Sequence, residues 1–197
     1  KNWREAPCVA CPHVAQTSGL CMNGTVYYGA FMSNNPSKSI VMSFDVRLET
    51  FNIINVPSKV VPRGNENMWV PHMLSSAATN KTLINYGGKI GVVENPREGK
   101  FRLWVVEDAE NEEWSLNTFH FPESAAGLDF KVMGTFSNGE ICLVPKELSD
   151  PFRLFYYSLE KKSMRSVVFE ELPVSELKQA KGLSVTVSDH YESFMFN

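Results

Sequence analysis

Three stretches of the chain share one plan: a short apolar run, a tight-turn dipeptide, and a second apolar run. They are GLCMNGTVYYG (19–29), TLINYGGKIGVV (82–93) and VMGTFSNGEICLV (132–144). Asn-Gly and Gly-Gly tolerate positive φ at both centres of a type I′ turn, whose twist matches that of the strands it joins, so each stretch predicts a β-hairpin. Each hairpin is followed by a longer apolar segment with a polar break. These segments are IVMSFDVRLETFNIINVP, FRLWVVEDAENEEWSLNTFHFP and the run beginning FRLFYYSLEKKSMRSVVFEELP. Placing Asp45 over Asp108 puts Phe51 over Trp114, and the three copies end at Pro57, Pro122 and Pro173. A unit of four strands therefore repeats, over about 19–61, 82–123 and 131–173. The first interval is lengthened by VPRGNENMWVPHMLSSAATN (61–80).

Four strands recurring at roughly 50 residues is the spacing of kelch-like propeller blades. One such sheet cannot bury both faces alone, so neighbours must stack. The predicted fold is all-β, a propeller-like array of about three four-stranded antiparallel blades. Closed propellers have about four to eight blades, so the chain is expected to be the C-terminal part of a larger one. Trp3-Arg4 fits the end of a preceding blade, and LSVTVSDHYESFMF (183–196) a closing strand. PVSELKQAKG (173–182) predicts a short helix, with Ser175 as N-cap and Gly182 as terminator.

Composition excludes several classes. With 197 residues, 43% hydrophobic and 21% charged, the chain is long and apolar enough to fold as a single domain over 1–197. A net charge of -3 with scattered Lys and Arg argues against nucleic acid as a partner. No run approaches the roughly 18 apolar residues of a membrane span, so no membrane partner is expected. Cys8, Cys11 and Cys21 crowd near the start and Cys142 lies in an apolar run. Cys8, Cys11, Cys21 and His13 make a nominal zinc set, but His13 is too close to Cys11 for unstrained ligation and a second knuckle pair is missing. Ordinary reduced cysteines in a reducing compartment are the better reading, which favours an intracellular location, nucleus or cytoplasm.

In that order, GLCMNGTVYYGAF, IVMSFDVRLETFNIINVP, TLINYGGKIGVV, LWVVEDAENEEWS, PFRLFYYSLEKKSMRSV and DHYESFMF resemble the F-box-associated domain of plant F-box proteins, in its Brassicaceae-rich subtype. The resemblance covers almost the whole chain. It implies a substrate-recognition module of an SCF-type ubiquitin ligase, which would hold a target protein while an F-box binds a Skp1-like adaptor. Nothing between Lys1 and Val14 looks like an F-box, so adaptor binding is assigned to no residue of this sequence.

The residues themselves offer little to catalysis. Glu107, Asp108, Glu110, Glu112 and Glu113 crowd one turn, where they would be exposed and ionised, unlike the facing carboxylates of a glycosidase. As a calcium loop they lack Gly at position six and Glu at position twelve. The motif G-x-S-x-G is missing, no Gly-rich phosphate loop opens a helix, and His13, His72, His120 and His190 are dispersed. The sequons at Asn23 and Asn80 read as incidental. The expectation is a non-enzymatic domain without a cofactor or metal. Its partner-binding residues are sought in the inserted stretch, where Arg63, Met68, Trp69 and His72 mix aromatic and cationic groups. Two other readings remain: a kelch-like scaffold unconnected to ubiquitin, and a propeller carbohydrate-active enzyme with convergent carboxylates.

Overall fold

A computed structural model describes residues 12–57, 81–94, 96, 98–136, 138–172, 174 and 187. The first sheet contains β1 (His13–Ala15), β2 (Leu20–Met22), β3 (Thr25–Met32), β4 (Asn35–Asp45) and β5 (Thr50–Asn55). The second contains β6 (Lys81–Tyr86), β7 (Lys89–Glu94), β8 (Lys100–Asp108) and β9 (Glu113–His120). The third contains β10 (Phe130–Thr135), β11 (Glu140–Pro145), β12 (Phe152–Ser158) and β13 (Ser163–Phe169). Strand order follows chain order in the second and third sheets. In the first, β1 pairs with β3 at Ala30–Met32 and β2 pairs with it at Thr25–Tyr27, while β4 runs along the other edge. Two short strands thus share one lane, and the sheet is four lanes wide. Three four-stranded antiparallel units are what the turn signals predict. The exception is β1, three residues carrying no hairpin signal of their own. The helix expected over 173–182 lies outside the described residues, apart from Val174.

Two of the opening hairpins turn as the dipeptides require, with Asn23 (φ 50) and Gly24 (φ 77) in one, Gly87 (φ 59) and Gly88 (φ 85) in the other. The third differs from the type I′ expectation. Gly139 N–H donates to Phe136 C=O at 2.9 Å, and of Asn138 and Gly139 only Gly139 is left-handed, at φ 78. The Asn138 side chain instead accepts from Glu140 N–H at 3.0 Å. An Asn that turns its oxygen back onto the chain leaves the left-handed residue to the glycine alone, in a longer turn.

The chain forms two compact units, one of residues 1–95 and 102–118, the other of 96–101 and 119–197. In the first, Met22, Val41 and Ile54 of the first sheet pack with Leu83, Ile90, Val92, Trp104 and Val106 of the second. Alternation along each strand sends these residues to one face. On the opposite face of the second sheet, Gly91 lies where a Cβ would come within 2.8 Å of both Ile84 and Leu103. Only glycine lets those two side chains close over the strand.

The second unit is held by an aromatic cluster. Phe101 stacks on Phe119 at 5.1 Å and meets Tyr157 edge-on at 5.3 Å, while Phe130 meets Phe121 at 5.2 Å and Phe155 at 5.1 Å. Such pairs add about 0.5–1.5 kcal/mol each beyond burial. The Tyr157 hydroxyl donates to the carbonyl of His120 at 3.1 Å, which satisfies the polar atom of a ring that is almost wholly buried. On the other face of the third sheet, Cys142, Val144, Phe152, Leu154 and Val174 form a separate apolar group.

Candidate functional site

Arg63, Met68, Trp69 and His72 lie outside the described residues, so their placement as a partner site rests on sequence alone. The acid-rich turn is fully described. Asp108 Oδ1 accepts from the backbone N–H groups of Glu110 (2.8 Å) and Asn111 (2.9 Å), and Oδ2 accepts from the Asn111 side chain (2.9 Å). Those bonds hold its carboxyl below the usual range, with the Asn111 N–H as the largest cause. Glu107 is bonded to the Lys89 ammonium and, at 2.5 Å, to the Ser115 hydroxyl, which likewise hold its carboxyl low. Glu112 accepts from Asn55 at 2.6 Å. A general acid at neutral pH needs its pKa raised by burial, and Glu107 and Asp108 are held in the opposite direction.

The same frame recurs. Asp45 accepts from the N–H groups of Arg47 and Leu48 at 2.9 and 2.8 Å, and Ser158 Oγ accepts from Lys161 N–H at 3.1 Å. Four residues beyond each acceptor the backbone is left-handed, at Glu49 (φ 55), Glu112 (φ 55) and Lys162 (φ 50). The alignment of Asp45 on Asp108 is therefore an alignment of turn geometry.

The remaining chemistry-bearing groups are spread apart. His13 shares a 2.8 Å hydrogen bond with the Tyr28 hydroxyl, and Cys21 is exposed. Cys142 is buried, which pushes its thiol up to about 11, away from the thiolate form that reacts. Cys8, Cys11, His72 and His190 lie outside the described residues. Among the described residues no three His, Cys, Asp or Glu side chains converge as a metal site.

A surface groove of about 470 Å³ lies on the third sheet and its flanking connections. Its walls include Leu128, Pro145, Phe155 and Met164, with Arg153 and Glu147 among the polar lining. Register explains the grouping. Phe155 pairs with Ser166, Arg153 with Val168 and Tyr157 with Met164, so these side chains share one face of β12 and β13. Ser124, Ser149 and Ser166 add hydroxyls to the lining. Sequence reasoning missed this groove because its residues come from two connections and three strands. The one local signal is Arg153, a charge set between apolar neighbours in PFRLFYYS.

Residues 1–191 match the family described as the F-box associated beta propeller domain. The chain belongs to that family. Among the relatives of this F-box-associated domain, the Arabidopsis thaliana protein named as F-box protein At3g47150 is 57% identical over 82% of the chain. F-box protein At5g65850, also from Arabidopsis thaliana, is 30% identical over 98%, and the Arabidopsis F-box protein DOR is 33% identical over 84%. The matches cover 44%, 47% and 40% of those proteins, so the chain spans a little under half of their length. Among the described residues no helix is long and apolar enough to cross a membrane.

Proposed function

We propose that the chain, as one F-box-associated domain over 1–197 and the C-terminal part of a larger propeller, is the substrate-recruiting module of an F-box protein in an SCF-type ubiquitin ligase. The family match over residues 1–191 carries this reading, together with relatives that are named F-box proteins and are about twice as long as the chain. In this reading an F-box outside the sequence binds a Skp1-like adaptor. The β domain then holds the target protein near a ubiquitin-charged partner enzyme, in the nucleus or cytoplasm. Recruitment works by effective concentration: a tethered target meets the transfer machinery far more often than a free one, and the domain performs no bond chemistry itself. Two observations support the non-catalytic part, namely the turn-capping and pairing roles of Glu107, Asp108 and Glu112 and the burial of Cys142, which disfavours its thiolate. Arg63, Met68, Trp69 and His72 remain the sequence-based proposal for partner contact.

Affinity purification tests the division of labour. Full-length protein should recover the Skp1-like adaptor, and residues 1–197 alone should not. Recovery of the adaptor by this fragment would overturn the assignment.

A further inference from the structure

The groove over Phe155 combines a rigid floor, an adaptable wall and two uncommitted charges of opposite sign. Phe155 is fixed by its edge contact with Phe130, and Phe130 is fixed in turn by Phe121, so the floor is a surface extension of the aromatic cluster. A side chain landing there meets a surface already ordered, which lowers the entropic cost of binding. Met164 lines the same groove with a flexible thioether that adapts to differently shaped apolar groups. A volume of about 470 Å³ accommodates one large apolar side chain and its flanking backbone.

The charges narrow the occupant. Arg165, which also lines the groove, is committed to Glu140, with Nε to Oε1 at 3.0 Å and a guanidinium NH2 to Oε2 at 2.5 Å, and its guanidinium lies 4.1 Å over the Tyr156 ring. Arg153 and Glu147 are exposed, and neither has a hydrogen-bonded or ion-paired partner among the described residues. One free guanidinium balanced by one free carboxylate does not fit a polyanion, which needs several like cations along its track. Nor does it fit an anionic lipid surface, which needs a cluster of Lys and Arg.

We infer that the groove seats an extended protein segment that places one apolar side chain on Phe155 and Met164, an acidic residue at Arg153 and a basic residue at Glu147. This deepens the recruitment reading and rests on it, since it supplies the target segment's chemistry. Aromatic and Arg positions carry most of the energy in recognition patches of this kind, with polar neighbours setting register.

The test uses purified residues 1–197 and an array of synthetic heptapeptides whose central residue is Leu, Phe or Gly, flanked two positions away by Asp and Lys in either order. Peptides with Leu or Phe and one order of flanking charges should bind, and the Gly-centred and charge-swapped sets should not. Arg153→Glu should weaken the bound set about tenfold, and replacing the peptide Asp by Lys should restore binding to that variant. Met164→Glu should abolish binding while leaving the thermal melt of the domain in place. Binding unchanged by Arg153→Glu, equal binding of both charge orders, or no binding by any peptide would overturn the inference. Adaptor recovery by the full-length protein is scored separately, so failure of the groove and failure of the ligase reading give different results.

Discussion

The tip between β8 and β9 and the tip between β12 and β13 share a backbone frame and differ in nearly every charge. The first reads DAENEE and the second SLEKKS. In both, a side-chain oxygen at the first position accepts from the N–H three residues on, and the fifth residue is left-handed. Two positions set the geometry, and the charges between them are left for the surface to vary. A cluster of acids on such a tip is therefore poor evidence for chemistry. The strand positions below the tips are held by packing and have no such freedom.

The sharpest contrast between tip and strand is at Gly91. Gly91→Ala should destabilise the chain by about 1–3 kcal/mol in urea titration, because the added Cβ must displace both Ile84 and Leu103. A loss no larger than that of the tip variants below would show that the strands give way as easily as the turns.

Removing the turn acceptor comes next. Asp108→Ala should lower the urea midpoint more than Ser158→Ala, since Asp108 receives three hydrogen bonds and Ser158 one backbone N–H. The Ser158 change should cost about 0.5–1 kcal/mol. Acid separates the two tips. The folded Asp108 carboxyl is held below its ordinary range, so its contribution is complete above about pH 4 and is lost as pH falls through the folded value. The difference between wild type and Asp108→Ala should therefore shrink in acid, whereas the Ser158→Ala difference should stay constant.

The left-handed position gives a smaller effect of the opposite sign. Lys162→Gly should stabilise by up to about 1 kcal/mol by relieving a Cβ at φ 50. Glu112→Gly should gain less, because it also gives up the 2.6 Å bond from Asn55. Equal gains would mean that the Asn55 contact contributes nothing. Smallest of all, Glu110→Lys should leave stability within about 0.5 kcal/mol, because its side chain has no part in the frame.

The repeat was legible in the sequence because its signals are local: a turn dipeptide, a polar break in the apolar segment that follows, and a closing proline. Asp45 and Asp108 could be aligned before any coordinates, since a backbone turn imposes its demand on a few neighbouring residues. β1 was not legible, because His13–Ala15 gains its strand character from Ala30–Met32 on β3, across a longer connection. The turn at Gly139 departs from the type I′ expectation because Asn-Gly serves two turn geometries, and here the Asn138 side chain accepts from Glu140 N–H. The groove was illegible for a different reason. Arg153, Phe155 and Met164 each look like ordinary strand residues, and only the β12–β13 register makes them neighbours.

The central claim, that this domain chooses the target, is tested most directly by comparing full-length protein with a version lacking residues 1–197, each purified from plant cells under proteasome blockade. Both should retain the Skp1-like adaptor, and only the full-length protein should carry a specific set of ubiquitin-modified targets. The same targets bound in the absence of this domain would contradict the account.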